Sequence, residues 1–413
     1  MKLYTVLTVI ISISAVFAYI NYRYIKLPNT IGIMVMSLIC SALLVTIGHF
    51  VPSWSGTVID MIRSIDFQQL LMDAMLSFLL FAGAIHVNYA SLKREKWPIA
   101  IMATIGTLIS TFVVGYVTHL LFGLFDMQVG FVYCLLFGAL ISPTDPIAVL
   151  GILKRAKIPH SIELKVTGES LFNDGVAVVV FVTIMQIARA GLDNMSPISV
   201  GELFLVEAVG GIIYGIALGY VGFFMLRSID NYQVEVLITV AIVMGGYSLA
   251  SVLHISGPLA MVVAGIITGN QGKEYAMSHT TRDYLGKFWE VIDEILNAIL
   301  FLLIGFELLV IEFDSTLFLI GAITILVVLA ARLISVAFPL LALKRFINLE
   351  KNAIGILTWG GLRGGISVAL ALSLPDAMYR SEFVTITYVV VVFSIIVQGL
   401  TIGKLAKRVF KST

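Results

Sequence analysis

Charge is what this chain has least of. Asp, Glu, Lys and Arg make up 12% of its 413 residues, about half of the roughly 25% usual in soluble domains, and that excludes a water-soluble enzyme. Cysteine is almost missing as well. Cys40 and Cys134 both sit in apolar stretches, so they read as small buried hydrophobes with no disulfide or zinc framework to join. The histidines, His49, His86, His119, His160, His254 and His279, are scattered and lack metal-ligand spacing. No strongly acidic or basic balance appears either. Basic residues number 26 and acidic ones 25, for a net charge of +1, so no nucleic-acid partner is expected.

In place of charge there is hydrocarbon: 59% of the residues are hydrophobic. A membrane-crossing helix needs about 20 apolar residues, so about thirteen of them would use close to two thirds of the chain. Apolar spans fall at roughly 3–22, 30–50, 66–87, 97–125, 128–152, 163–188, 199–226, 234–253, 256–270, 288–311, 316–343, 352–376 and 383–403. The predicted fold class is an all-α, polytopic membrane protein whose first partner is the lipid bilayer. Only the stretch around His254, Ser256, Gly257 and Pro258 divides the eighth span from the ninth, so a twelve-span layout is the main competitor. Lys2 precedes the first span while Arg23 and Lys26 follow it. A cleavable signal peptide has the reverse polarity, so this span is kept as the first helix.

Positive charge tests the thirteen-span layout, because cytoplasmic loops collect Lys and Arg. Alternating loops, taken with the carboxyl-terminal tail, place 20 basic residues on one side and only Lys2, Arg63, Arg189 and Arg380 on the other. That bias predicts an amino terminus outside and a carboxyl terminus in the cytoplasm, in a protein of the cell membrane. The two basic residues left over, Arg332 and Arg363, fall in mid-span.

An ionisable group at bilayer depth costs at least about 2.5–3.5 kcal/mol, so it normally faces a partner or an aqueous cavity. Asp145 in the fifth span and Glu169 and Asp174 in the sixth are the acids at that depth. Asp73, Glu202, Glu207, Glu290, Asp293, Glu294 and Glu307 touch spans nearer their ends and read as interfacial charges that snorkel or cap.

The stretch Ser142-Pro143-Thr144-Asp145-Pro146 interrupts the fifth span. Proline has no N–H, so Pro143 and Pro146 leave the carbonyls of Ala139 and Ser142 without their helical donors. In hydrocarbon such carbonyls find other partners or line a cavity, and beside Asp145 they would offer hard oxygens to a small cation. The bland alternative is a kink whose carbonyls are taken by the Ser142 and Thr144 hydroxyls. In the sixth span, residues four apart share a helical face, so Glu169/Asn173 and Ser170/Asp174 form one inward polar stripe. Two carboxylates without counter-charge would hardly both ionise there. Arg363 is expected to hold Glu169 charged and leave Asp174 for exchangeable partners. The alternative is a closed internal network of three acids and two arginines.

Four glycines around Arg363, in Gly360-Gly361-Leu362-Arg363-Gly364-Gly365, weaken the twelfth span at its centre. If spans 1–6 and 8–13 are inverted six-helix repeats joined by span 7, the discontinuous helices 5 and 12 correspond. Interrupted spans in matching positions point to a transporter's midplane site. The sequence echo is short, Ile147-Ala148-Val149-Leu150 against Ile366-Ser367-Val368-Ala369-Leu370, and glycines also serve close helix packing.

These motifs, with Glu169-Ser170-Leu171-Phe172-Asn173-Asp174-Gly175 between them, resemble the NhaP-type sodium/proton antiporters of the monovalent cation:proton antiporter-1 family, relatives of animal sodium/hydrogen exchangers. The resemblance covers most of the chain. It implies that Asp174 is the carboxylate exchanging Na+ and H+, that Ser170 and the Thr144 region supply further oxygens to Na+, and that Asp145 contributes nearby. It also implies that Asn173 orients the site and that Glu169 pairs with Arg363, while Arg332 resembles the family's other mid-membrane arginine. The family further implies a homodimer. Core helices 4–6 (97–188) and 11–13 (316–403) would move against scaffold and dimerisation helices 1–3 (1–87) and 8–10 (234–311), with helix 7 (199–226) as the link and 404–413 as a short cytoplasmic tail. Asn173 is uncharged where electrogenic relatives tend to have a second aspartate, which implies electroneutral exchange of one H+ for one Na+. One departure stands out. Some archaeal relatives bring a third-span carboxylate to the ion, whereas the matching stretch here, Leu80-Phe81-Ala82-Gly83-Ala84-Ile85-His86, has Ala82 at that place. His86, near the inner end of its span, reads as interfacial more readily than as a pH sensor.

The expected mechanism is competition for one carboxylate. Burial disfavours the charged form of Asp174, so a proton neutralises it until a dehydrated Na+ takes its place, and only the neutralised site crosses cheaply. No enzyme activity and no cofactor is expected; Na+, or Li+, and H+ are the substrates. The nearest alternative is a K+/H+ antiporter of the same fold. From other classes come a cation channel, which would lack obligatory proton counterflow, and an organic-anion carrier clamped by Arg363. An intramembrane aspartyl protease using Asp145 and Asp174 as a dyad is disfavoured by two arginines that would keep carboxylates ionised. The tail is too short for a regulatory domain, so regulation is expected to be internal.

Overall fold

The computed structural model describes residues 3–50, 67–156, 158–191, 196–311, 313–343, 350 and 352–410. Of the positions read above, Lys2 and Arg63 and the side chains of His49 and Asp73 lie outside the described residues, as do the loop and tail residues Lys157, Lys344, Arg345, Lys351 and Lys411. Among the described residues the regular structure is all helical.

The chain opens with α1 (Leu3–Ile20), α2 (Asn29–Phe50), α3 (Leu70–Ile85) and α4 (Lys96–Leu124). The expected fifth span is two helices, α5 (Phe131–Ile141) and α6 (Ile147–Arg155), parted where Pro143 and Pro146 deny the ladder its donors. Then come α7 (His160–Ala190), α8 (Pro197–Arg227), α9 (Tyr232–Val252), α10 (Gly257–Ile267), α11 (His279–Glu307) and α12 (Ser315–Ala342). The expected twelfth span is likewise split, into α13 (Ala353–Trp359) and α14 (Gly365–Leu372), at the glycines around Arg363. The last helix is α15 (Arg380–Phe410). Eight of these helical stretches, those of α1, α2, α4, α7, α8, α9, α12 and α15, are long and apolar enough to cross a membrane on that ground alone.

Local chemistry sets the boundaries that matter. His254 adopts a left-handed φ of 54°, and the Ser256 hydroxyl accepts the Leu259 N–H at 3.3 Å to cap α10. The eighth and ninth spans are therefore separate helices, α9 and α10. Ser278 caps α11 in the same way, accepting the Thr281 N–H at 3.3 Å, so this helix begins about two turns before the apolar run does. Asp293 consequently lies mid-helix, not near an end. The helix α7 also starts early, at His160, and carries the buried Lys165 near its beginning.

Side-chain packing forms two apolar cores. One gathers α4, α5, α7, α12, α14 and α15; the other gathers α3 and α10 around Trp289 of α11, with Phe78 and Phe81 against its indole. The helix α7 packs on both α5 and α10, so its polar stripe sits where the two cores meet. On the outside, α8 exposes apolar residues such as Leu205, Ile213 and Phe224, a surface suited to hydrocarbon. Cys134 is buried, Cys40 is only partly so, and neither is in a disulfide.

Candidate functional site

The two interruptions meet. The N–H of Asp145, in the segment between α5 and α6, donates to the carbonyl of Leu362 between α13 and α14 at 2.8 Å. Close approach explains Gly364: a Cβ there would lie 2.5 Å from the Asp145 side chain and would displace the carboxylate. The same contact sets Asp145 beside the amino-terminal end of α14, the positive end of its dipole. From the second segment, Arg363 reaches the carboxyl-terminal end of α5, where its Nη1 donates to the carbonyls of Ser142 at 2.5 Å and Pro143 at 3.0 Å. This corrects one expectation. The carbonyl that Pro146 strips of its donor goes to Arg363, and that of Ala139 accepts the Ser142 N–H at 3.3 Å, so both are accounted for within the protein. A chain of hydrogen bonds fixes Arg363 in turn: its N–H donates to the Ser394 hydroxyl at 2.9 Å, Ser394 donates to Gln398 at 2.7 Å, and Gln398 donates to the Trp359 carbonyl at 3.0 Å.

On α7, Glu169, Ser170, Asn173 and Asp174 are all buried, as the four-residue spacing requires. Glu169 is paired with Arg332 and not with Arg363. Both its oxygens meet the guanidinium, Oε2 at 2.8 Å from Nη2 and Oε1 on Nη1, and Arg332 also donates to the Leu357 carbonyl at 3.1 and 3.3 Å. The physical reason is placement. The helix α13 packs against both α12 and α7, so Arg332 reaches Glu169 past Leu357, while Arg363 is held by the dipole end of α5.

One turn along, the Thr144 hydroxyl sits at the centre of a small polar knot. It lies 2.9 Å from the Ser170 hydroxyl and accepts the Asn173 amide at 2.8 Å, while the Thr144 N–H donates to Asn173 Oδ1 at 3.4 Å. Thr144, Asp145 and Asp174 open onto a cavity of about 620 Å³. Its rim carries His86, Lys154, His160 and Glu163 at helix ends, and its wall includes Ala82. Ser170 and Asn173 support Thr144 from behind. Glu169, Arg332 and Arg363 are not part of the lining. Among the described residues no cation pairs with Asp174, and no three His, Cys, Asp or Glu side chains are placed to hold a metal ion.

Two further groups matter. Glu290, Asp293 and Asn297 of α11 also line the cavity; their three- and four-residue spacing on one face was the available signal. Lys165, fully buried, bridges Glu95 at 3.2 Å and Glu350 at 2.8 Å. Burial pushes the Glu350 carboxyl up, but hydrogen bonds from Lys165 and Ser161 outweigh it and leave it below its ordinary range.

Comparison with known proteins shows the family. A family model described as sodium/hydrogen exchanger, transmembrane, matches residues 11–408. The chain is 50% identical over 409 residues to the Na(+)/H(+) antiporter NhaP of Pseudomonas aeruginosa, covering 97% of this chain and 95% of that one. It is 36% identical over 351 residues to the Na(+)/H(+) antiporter NhaH of Halobacillus dabanensis, covering 83% of each. The fold matches the solved structure of the sodium proton antiporter MjNhaP1 from Methanocaldococcus jannaschii at pH 8, with a TM-score of 0.78, 19% identity and 99% of both chains covered. Matched almost end to end, the chain belongs to the sodium/hydrogen exchanger family.

Proposed function

We propose that the protein exchanges Na+ for H+ across the cell membrane, one for one and electroneutrally, by competition for Asp174. The observation that carries this is the contrast on α7: Glu169 is closed off by Arg332, whereas Asp174 is buried, lacks a cationic partner among the described residues and borders the cavity. A carboxylate so placed is neutralised by whichever small cation reaches it. Thr144 and Asp145 stand at the same cavity and would offer Na+ further oxygens, with the Ser170 hydroxyl 2.9 Å behind that of Thr144 and Asn173 orienting Thr144.

In this reading the helices form thirteen crossings with the amino terminus outside. The cavity, rimmed by Lys154 and His160, faces the cytoplasm, as the distribution of basic loops supports. Residues 97–188 and 316–403 are the moving core, 1–87 and 234–311 the scaffold through which two copies pair, and 199–226 the link. Arg363 serves the backbone where the interruptions meet and stays off the cavity lining, which counts against an organic-anion carrier. The test is purified protein in proteoliposomes with a pH dye, each alkali cation in turn, and the voltage clamped or free. Na+-driven proton movement that is indifferent to voltage is the expected result. Current without proton counterflow would point to a channel, and a response to K+ alone to K+/H+ exchange.

A further inference from the structure

The wall of the cavity formed by α11 carries carboxylate and amide oxygens. Glu290, Asp293, Asn297 and Leu300 line the cavity in succession along one helical face. Leu300 ends the stripe against Gly365, where a Cβ would meet its side chain, so the stripe runs from the rim to the interrupted segments. Asn297 is only 2% exposed. Its amide nitrogen gives both hydrogens to Asp293, one to the backbone carbonyl at 2.8 Å and one to the carboxylate at 3.0 Å. Those bonds fix which way the amide faces. Its oxygen is left buried with no donor among the described residues, a situation that costs about 1–3 kcal/mol if nothing relieves it. An amide oxygen fixed beside a carboxylate is the ligand pair that a hard cation accepts. Asp293 also lies within electrostatic reach of Asp145.

We propose that Asp293 and Asn297 form a second cation station, on α11, where an alkali cation sheds part of its water before passing to Asp174, and that this station contributes to the choice among Na+, Li+ and K+. The inference rests on the reading of Asp174 as the exchange carboxylate.

The test uses full-length protein, with equilibrium binding of ²²Na+ to purified protein and exchange in proteoliposomes. Wild-type binding and exchange are measured first; if both are absent, the reading of Asp174 falls and the station with it. Where both are present, Asp174→Asn should lose exchange yet keep weaker ²²Na+ binding, and the double variant Asp174→Asn/Asp293→Asn should lose that remainder. Alone, Asp293→Asn should raise the apparent KM for Na+ about tenfold, equivalent to about 1.4 kcal/mol, and change the Na+ to Li+ ratio. Asn297→Ser is measured beside it and carries the same expectation should Asp293→Asn fail to fold. Glu290→Gln at the rim is the control for simple charge attraction, which choline chloride screens. The station is overturned if Asp174→Asn binds no ²²Na+ while the wild type does. It is overturned equally if the folded α11 variants behave like Glu290→Gln and their defects vanish in choline chloride, the outcome expected if only water meets the Asn297 oxygen.

Discussion

Glu169 and Asp174 lie on one helix, both buried, and differ in what meets them. Glu169 receives a two-pronged guanidinium from Arg332; Asp174 receives no cation from the described residues and faces the cavity. An ion pair formed within the protein closes off the first, and in the proposed function its lack leaves the second to be neutralised by a proton or a cation from the cavity. The two arginines divide in the same way. Arg332 is closed on a carboxylate, whereas Arg363 answers the dipole end of α5, with its Nε and Nη2 unpartnered among the described residues.

The sharpest way to break this contrast is Asp174→Asn. We expect exchange to fall by about a hundredfold or more, since an amide cannot trade a proton for Na+, while the protein still inserts and elutes as a single species; normal exchange by this variant would remove the central residue. Arg332→Met attacks the other side. Stranding Glu169 should cost about 3–5 kcal/mol, read as a lower melting temperature in detergent, and Glu169→Gln/Arg332→Met should recover most of it. Ser170→Ala tests the oxygen knot and should raise the apparent KM for Na+ by about three- to tenfold, since one hydrogen-bonding group is typically worth about 1 kcal/mol. The smallest effect belongs to Glu350. Its folded carboxyl is held below the unfolded value, so its stabilisation is present above the unfolded pKa and lost as pH falls through the folded one. Glu350→Gln should remove less than about 1 kcal/mol at neutral pH, because the pair is partly exposed, and flatten the acid limb of a stability profile.

The interruptions were legible because proline and glycine act through their own backbone chemistry, so Pro143, Pro146 and the glycines around Arg363 mark the breaks without any neighbour's help. The stripe from Glu169 to Asp174 was legible for a similar reason, since helical spacing alone puts those side chains on one face. The partner of Glu169 was not. Two arginines share the required depth, and only the packing of α13 between α12 and α7 decides between them. Asp293 was less legible, because hydropathy marks where a helix becomes apolar while the Ser278 cap marks where it begins. That gap moves Asp293 from an apparent span end to the middle of α11.

Competition at Asp174 is tested most directly by titrating Na+ into weakly buffered purified protein near neutral pH and counting the protons released. At Na+ concentrations that fill Asp174 but not the weaker α11 station, about one H+ should appear for each Na+ bound, because cation and proton share one carboxylate, and the Asp174→Asn protein should release none over that range. Saturable Na+ binding by the wild type with no proton release is incompatible with that competition.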